Sequence, residues 1–309
     1  MKISVGICTW NRARLLDQTL EHMRQLNIPQ GCDWEVVVVN NNCTDETDDV
    51  LKKHQRTLPL RRVFEAQPGK AHAMNAALEA IEGDWILWTD DDVLVDREWI
   101  TGHLRAVREF PGVSLLGSII EPEFEVEPPA WLRKSFDQIE GAYAIRRLGD
   151  EPIRLSQNDV RTLPYGANFA VRTDVQKAHK FDVTLGRAGS NMVSGEETAL
   201  EIELLESGHI GYWHPYSKIR HFIPKERLTK NYLRRYFYGI GQTSVIMSSS
   251  RSVPLARQLR YFASAALSEL NYQSRRPILS SRGRVRIMTR TSFRWGRATA
   301  TWSATRRAA

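Results

Sequence analysis

The 309-residue chain has few cysteines and no long hydrophobic run. Its three cysteines, Cys8, Cys32 and Cys43, are an odd number without metal-ligand spacing, which excludes a disulfide scaffold and fits a reducing compartment. No apolar run reaches about 18 residues, so the sequence predicts no membrane-spanning helix. The first residues, MKISVGICTWNR, have the pattern of a buried strand ending at a polar turn, and we do not expect them to form a signal peptide.

Acidic residues are absent from residues 270–309, which contain 10 arginines. The whole chain has 43 basic and 36 acidic side chains, a formal net charge of +7. Without the tail, residues 1–269 carry 33 basic against 36 acidic side chains, a net charge of −3. The basic tail suits an anionic membrane, nucleic acid or an acidic partner, whereas the function of the body must be inferred from its own motifs.

Strand and helix patterns alternate in the first part of the chain. Buried-strand patterns at residues 3–8, 34–39, 62–64 and 85–89 are separated by helical periods at 14–26, from 44 onward, and at 71–81. This order predicts an α/β fold with a mainly parallel sheet and helices on both faces. Ligands of such sheets bind beyond the carboxyl ends of the strands, where this chain has the polar segments CTWNR, NNNCTDE, QPGKAH and DDD.

The alternation is less regular after residue 111. The patterns predict a strand at 113–120, a strand at 161–172 interrupted at Gly166, a glycine-bearing mobile loop at 186–195, a helix at 196–207 and one or two strands at 210–221. After Pro224 come helical patterns at 228–240 and 255–271 and then the tail. We therefore predict an α/β domain over residues 1–224 and a helical extension with an arginine-rich tail over 225–309.

Three consecutive aspartates, Asp90, Asp91 and Asp92, follow the apolar strand WILWT. Because adjacent carboxylates repel one another, we expect a cation among them. Strand alternation would place Asp90 and Asp92 on one face, and paired oxygen ligands suit Mg²⁺ or Mn²⁺ shared with substrate phosphates. A solvated acidic loop or helix cap is the alternative. Thr101 at the twelfth loop position excludes a calcium EF-hand.

Seven segments resemble, in order, the motifs of bacterial family 2 glycosyltransferases, which have a GT-A fold. They are VGICTWNR, VVVVNNNCTDET, GKAHAMNAAL, WILWTDDD, YGANFAVR, SGEETALEIELLESG and KIRHF, within about residues 3–240. The resemblance implies an inverting enzyme that uses Mn²⁺ or Mg²⁺ and makes cell-surface polysaccharide or glycolipid. It implies a nucleotide-diphosphate sugar as donor, with a UDP-sugar expected, and the hydroxyl of a glycan or lipid-linked acceptor.

The resemblance also implies the residues of the donor pocket. They are Thr9, Asn11, Arg14, Asn40, Asn41, Lys70, Asn75, Asp90, Asp91 and Gly166. Asn40 and Asn41 stand where members usually carry Asp-Asp or Asp-Asn, so an amide oxygen would accept from uracil N3–H without charge assistance, and the uridine assignment stays open. The alternatives are a helix-capping turn for the asparagines, a plain turn before Lys70, and a helix-surface amide for Asn75.

Glu196 and Glu197 begin the predicted helix after the glycine-bearing loop, where the family commonly has Glu-Asp. The resemblance makes Glu197 the general base that takes the acceptor proton, and Glu196 a residue that orients the site or binds the acceptor. Two acids that stabilise a helix N-terminus are the alternative. The resemblance places a metal ion among Asp90, Asp92 and His221, although a single histidine is more often a core residue.

The tail leaves several interpretations open. A helix over residues 285–302 would place Met288, Trp295 and Trp302 near one face among arginines, as suits the interface of an anionic membrane. A disordered solubilising tail is the alternative. A non-enzymatic nucleic-acid binder acting through the tail is also conceivable, but the negative charge of the body disfavours it. We expect a cytoplasmic protein, peripheral on the inner face of the cell membrane if the tail binds lipid.

Overall fold

The computed structural model describes residues 1–187, 192–248 and 253–308, with side chains up to residue 302. Its strands are β1 Lys2–Thr9, β2 Asp33–Asn40, β3 Leu60–Phe64, β4 Trp85–Asp90, β5 Val93–Val95, β6 Val113–Phe124, β7 Ile153–Arg154, β8 Phe169–Arg172 and β9 Ile210–Ile223. Its helices are α1 Ala13–Met23, α2 Thr47–His54, α3 Lys70–Ala80, α4 Trp99–Glu109, α5 Ala130–Arg133, α6 Thr173–Ala178, α7 Glu196–Glu206, α8 Lys230–Ile246, α9 Leu255–Arg275 and α10 Ser281–Ala308.

All nine strands belong to one sheet, in the order β3-β2-β1-β4-β8-β6-β9-β5, with β7 beside β9. Strands β3, β2, β1 and β4 are parallel, whereas β8 pairs antiparallel with both β4 and β6. The predicted α/β fold is confirmed, with the parallel pairing concentrated in the first four strands. The chain proceeds from β1 to β2 and β3 on one side and returns to β4 on the other, so the topological switch point lies between β1 and β4.

The core of the sheet follows the sequence pattern. Val36, Val37, Val38 and Val39 of β2 are fully buried, as expected for a parallel strand covered on both faces. Gly6 of β1 lies so close to the indole ring of β4 that a Cβ atom there would collide with it. Because these strands are packed tightly, the positions of their carboxyl ends, where polar side chains follow, are well defined.

Two predicted elements differ from the observed ones. The strand expected at 161–172 is a strand only at Phe169–Arg172, because the preceding residues form turns in which Asn168 accepts a hydrogen bond from the indole N–H of Trp99 at 2.8 Å. Gly166 therefore lies in a turn that leads into β8. The mobile loop expected at 186–195 includes residues 188–191, which lie outside the described residues.

The chain separates into two compact units. The first comprises residues 1–123, 144–184 and 196–222, and the second comprises 124–143, 185–195 and 223–309. The long C-terminal segment of the second unit begins at residue 223, next to the predicted boundary at residue 224. The unit also includes two earlier segments. Hydrogen bonds explain the inclusion of 124–143, since the hydroxyl groups of Tyr232 and Tyr236 both donate at 2.7 Å to backbone carbonyls of that segment.

The arginine-rich tail is helical in the structure. Its helix α10 packs on α8 at two glycines, since a Cβ on Gly296 or Gly241 would collide with a backbone carbonyl of the other helix. Of the residues expected to face a membrane, Met288 is buried, and Trp295 and Trp302 pack edge-on against Phe262 of α9. Met288 is therefore covered by protein, whereas Trp302 stays 42% exposed. No helix among the described residues is long and apolar enough to cross a bilayer.

Candidate active site

Polar side chains meet at the switch point of the sheet. Strand β1 ends at Thr9 and β4 ends at Asp90, and their register pairs Cys8 with Asp90. The neighbouring strand β2 ends in the same layer, since Thr9 pairs with Asn40. Three of the predicted polar segments therefore lie together at one edge, as the strand order of the sequence implied.

A cation of the protein itself, the guanidinium of Arg12, lies among the aspartates. Nη1 of Arg12 donates to Asp91 Oδ1 at 2.8 Å and to Asp92 Oδ2 at 3.1 Å. Asp91 also accepts from the buried hydroxyl of Thr9 at 2.8 Å. Burial raises the pKa of the Asp91 carboxyl, although the positive charge of Arg12 opposes this shift. Because β4 ends at Asp90, strand alternation does not continue through the cluster, and Asp91 and Asp92 share one guanidinium.

Asp92 also lies beside the predicted histidine. Its Oδ1 is 3.3 Å from Nε2 of His221, both side chains are almost completely buried, and Val93 of β5 pairs with His221 of β9. A carboxylate oxygen facing an imidazole nitrogen is a donor set that fits a divalent ion such as Mn²⁺. Within the described part of the chain no three His, Cys, Asp or Glu side chains are grouped to hold a metal. A metal here would take its remaining ligands from substrate phosphates and water, as Mg²⁺ commonly does.

Lys70 connects the acidic groups predicted for donor and acceptor. It is the first residue of α3, and its Nζ lies 3.0 Å from Asp90 Oδ1, 2.7 Å from Glu197 Oε1 and 3.7 Å from Glu196 Oε1. Burial alone would lower the pKa of Lys70, but these three carboxylates outweigh it and raise the pKa well above 10.5. Lys70 is therefore a fixed positive charge. Its contacts connect the carboxyl end of β4 with the N-terminal turns of α3 and α7.

The carboxylate of Glu197 lies directly over Gly166. A Cβ atom at Gly166 would overlap Oε1, Cδ and Cγ of Glu197, so the position admits only glycine while the glutamate keeps this rotamer. The neighbouring Glu196 is buried at 2% exposure. Its burial and the negative charge of Glu197 raise the pKa of Glu196 to about 8, although the positive charge of Lys70 opposes this shift.

Asn40 and Asn41 hold the loops around the site. Asn40 accepts from the backbone N–H of Cys43 at 2.8 Å and donates to the Asp48 side chain at 2.7 Å, so it holds the turn after β2 without capping α2. Asn41 accepts from the backbone N–H of Gly69 at 2.9 Å and donates to two carbonyls of the same loop at 3.1 and 2.7 Å. The second asparagine therefore positions the turn that precedes Lys70. A contact of either amide with a nucleobase stays a prediction.

The remaining donor candidates differ in exposure. Asn11, at a φ of 52°, accepts from the backbone N–H of Thr44 at 2.7 Å and so joins the loops after β1 and β2. Arg14 is exposed. Asn75 exchanges two hydrogen bonds of 2.9 Å with the backbone of Phe181, so its amide positions the chain before the glycine-bearing loop. Their donor contacts likewise stay predictions.

Sequence reasoning missed two features of the site. The resemblance places Arg12 with residues 11–14 at the nucleotide pocket, but no local pattern indicates that its guanidinium binds the aspartates after β4. Glu201 follows Glu197 by one helical turn, is fully buried, and has no hydrogen-bond partner for either oxygen among the described residues. Burial, together with the negative charge of Glu197, raises the pKa of Glu201 well above 4.5, against the opposing charge of Arg146. Its spacing of four from the predicted base was the available signal.

Comparisons with known sequences identify relatives over most of the chain. Succinoglycan biosynthesis protein ExoM of Rhizobium meliloti (strain 1021) is 23% identical over 250 residues, which are 79% of this chain and 74% of that protein. Validoxylamine A glucosyltransferase of Streptomyces hygroscopicus subsp. limoneus is 31% identical over 156 residues, 48% of this chain and 33% of that protein. The chain thus spans about a third of the length of the second relative.

Two solved structures share the fold. The mannosyltransferase PcManGT from Pyrobaculum calidifontis, in complex with GDP-Man and Mn²⁺, has a TM-score of 0.58 at 19% identity, covering 99% of this chain and 75% of its own. S. aureus TarS 1-349 has a TM-score of 0.53 at 17% identity, covering 100% and 92%. They confirm the predicted GT-A fold. The model of Glycosyl transferase family 2 matches residues 4–177, more than half of the sequence and most of the clustered site, and the chain therefore belongs to glycosyltransferase family 2.

Proposed function

We propose that the chain transfers a sugar from a nucleotide-diphosphate sugar to an acceptor hydroxyl with inversion at the anomeric carbon, in the synthesis of cell-surface polysaccharide or glycolipid. The observation that carries this proposal is the position of Lys70, whose ammonium contacts both Asp90 and Glu197. Asp90 ends the strand on the donor side, and Glu197 lies in the first turn of the helix assigned to the acceptor. Groups for leaving-group departure and for acceptor activation therefore lie within reach of one side chain.

The donor is proposed to be a UDP-sugar bound at the carboxyl ends of β1, β2 and β4. The mannosyltransferase structure is a complex with GDP-Man, and a structure of TarS 1-349 with a TM-score of 0.53 is a complex with UDP, which supports a nucleotide-diphosphate donor here. Because the amides of Asn40 and Asn41 already bind protein groups, we expect backbone groups of the surrounding loops to contribute to base recognition. The diphosphate would lie next to Lys70, at the N-terminus of α3.

Asp92 and His221 would hold the divalent metal, since they form the closest carboxylate–imidazole pair of the cluster. When bound, Mn²⁺ or Mg²⁺ neutralises charge on the leaving diphosphate. Arg12 keeps the carboxylates of Asp91 and Asp92 in place and supplies a permanent positive charge beside them. Asp90 would then bind Lys70 or a hydroxyl group of the sugar donor.

Glu197 is the proposed general base. In the structure its carboxylate is paired with Lys70, so an arriving diphosphate, which also attracts the ammonium, would weaken this pair and free the carboxylate. The acceptor hydroxyl then gives its proton to Glu197, its oxygen bonds to the anomeric carbon, and the bond to the nucleoside diphosphate breaks on the opposite face. A positioned base of this kind contributes about 10²- to 10⁴-fold. Glu196, beside it, would orient the site or bind the acceptor.

Donor binding and stereochemistry test this proposal separately. Thermal shifts with UDP, GDP, dTDP and CMP, each with Mn²⁺, should be largest for UDP, because a bound ligand stabilises the native state by mass action. Proton NMR of the product made from an α-linked donor should show a β-linkage. A retained configuration would remove Glu197 from its role as base, and the absence of any nucleotide-dependent shift would contradict the donor site.

The protein is further proposed to be cytoplasmic and peripheral on the inner face of the membrane, where lipid-linked acceptors are available. Residues 230–309 contain 16 basic side chains and one acidic side chain, Glu269. Each basic residue near an anionic bilayer contributes about 1 kcal/mol to binding. The full-length chain should sediment with phosphatidylserine vesicles at low salt. A chain that stays in the supernatant under these conditions would contradict membrane association.

A further inference from the structure

The second compact unit contains a groove of about 880 Å³ along α8, α9 and α10. Five arginines line it, namely Arg257, Arg260, Arg290, Arg294 and Arg297. We propose that this groove is a binding site for one anionic amphiphile, with its phosphate head group held by the arginines and the first part of its chain held by the apolar lining. Every lining residue belongs to the second unit, so this binding can be measured independently of glycosyl transfer.

Within the part of the chain that the structure describes, the arginines of the groove have no acidic partner. Among the described residues no carboxylate forms an ion pair with any of the five, and Glu269 is the sole acidic residue in the sequence from 230 to 309. Arg297 is held in place, since its Nη2 donates to the hydroxyl of Tyr261 at 2.7 Å and its guanidinium lies 4.2 Å from the ring centroid. Several guanidinium groups that line one groove without acidic partners among the described residues provide the charge and the forked donors that phosphate requires.

The rest of the groove is mostly apolar. Phe237 and Ile240 of α8 face it from one side and Phe293 of α10 contributes from the other, and all three side chains are partly buried. Free phosphate would gain nothing from these side chains, whereas an acyl or prenyl chain would bury apolar surface against them. The combination of charge and apolar lining therefore indicates an amphiphile.

The exposed surface of α9 favours a lipid over a nucleic acid. Leu255, Leu259, Leu267 and Leu270 are each more than half exposed, and their spacing places them on one side of the helix. Surfaces that bind single-stranded nucleic acids need aromatic side chains on which the bases stack, and leucines cannot provide this stacking. Exposed leucines beside arginines are instead typical of a helix that lies in a membrane interface. An amphiphile could then enter the groove from the bilayer.

Calorimetric titration of the full-length protein tests the site. The probes are dihexanoyl phosphatidic acid below its micelle concentration, dihexanoyl phosphatidylcholine, and inorganic phosphate. We expect one phosphatidic acid per chain, with binding at least about tenfold tighter than that of the other two, because only this probe has both the anionic head and the apolar chains. Equal binding of inorganic phosphate would overturn the amphiphile, and equal binding of phosphatidylcholine would overturn the role of the arginines.

Matched double variants show whether the groove itself binds the probe. Arg260→Gln with Arg290→Gln removes one groove arginine from each of α9 and α10, and Arg275→Gln with Arg286→Gln removes one exposed arginine from each helix outside the groove. The groove variant should lose about 30-fold in affinity for phosphatidic acid, about fivefold per arginine, and the control less than about twofold. UDP binding should be unchanged in both.

Two outcomes of the variant experiment would overturn the proposal. Equal losses in both double variants would mean that the tail attracts the probe only through its overall charge. A single-stranded oligonucleotide that displaces phosphatidic acid, and that itself binds less tightly to the groove variant than to the control, would assign the groove to nucleic acid. Unchanged melting temperatures of both variants would exclude unfolding as the cause of a loss.

Discussion

The carboxylate of Glu197 occupies the space that a Cβ atom on Gly166 would need. Gly166→Ala must therefore push this carboxylate away from Lys70 or displace the turn before β8. We expect the variant to lose at least about 100-fold in kcat, which is within the contribution of a positioned base. Its affinity for UDP with Mn²⁺ should stay within about twofold of the wild type, since Asp92 and His221 are not disturbed. Steady-state kinetics and titration with UDP measure the two effects.

A double variant distinguishes this displacement from general damage. Glu197→Asp shortens the side chain by one methylene, so Gly166→Ala combined with Glu197→Asp should be more active than Gly166→Ala alone. If the double variant shows only the product of the two single losses, the two residues act independently and the steric explanation is wrong.

Lys70→Met should reduce both stability and turnover. It leaves Asp90, Glu196 and Glu197 without their shared cation, and the loss of one partner of a partly buried ion pair costs about 2 kcal/mol. Lys70→Arg keeps the charge and should retain much of the stability while changing the position of Glu197. Urea denaturation gives the unfolding free energy, and kcat measured at saturating donor gives the turnover. A Met variant as stable as the wild type would contradict the bridging role of Lys70.

Asp92 and Asp91 should respond differently to substitution by asparagine. Asp92→Asn weakens the pair with His221 and should abolish Mn²⁺-dependent transfer while the fold is retained. Asp91→Asn should mainly lower the melting temperature, because Asp91 is buried and bonded to Thr9 and Arg12. Activity at a series of Mn²⁺ concentrations and melting curves separate the two effects. Full activity of Asp92→Asn in the presence of EDTA would refute the metal assignment.

Glu201 should make the native state less stable as pH rises. Its pKa is raised in the folded chain, so between pH 4.5 and that higher value the native state holds a proton that the unfolded state has released. The stability due to this proton is complete below pH 4.5 and decreases with increasing pH, by up to about 1.4 kcal/mol per pH unit. In Glu201→Gln this loss is absent. The melting temperature of the variant minus that of the wild type should therefore increase from pH 5.5 to 8.5.

The exposed Glu206 on the same helix supplies the control for this measurement. Glu206→Gln makes the same substitution on α7 at a solvated position, where the change in melting temperature relative to wild type should be the same at both pH values. A parallel response of the two variants would show that Glu201 is ionised in the native state.

The amino-acid sequence by itself determined the fold and the location of the site. Four adjacent valines in β2, the alternation of strands and helices, and polar residues after each strand predict a parallel sheet whose ligands bind at its carboxyl edge. Because side-chain burial follows a fixed period in strands and helices, such patterns are readable from local sequence. Local sequence alone therefore predicts that the polar segments following these strands lie at the same edge of the sheet.

Only the tertiary structure decided which charges meet within that edge. Arg12 is 79 residues from Asp91 and Lys70 is 127 residues from Glu197, and no local pattern pairs side chains over such separations. The same is true of α10, where two glycines permit close contact with α8 and cover the Met288 face that the helical period had left available to a membrane. Local periodicity fixes which side of an element is apolar or charged, but packing between distant elements decides what that side contacts.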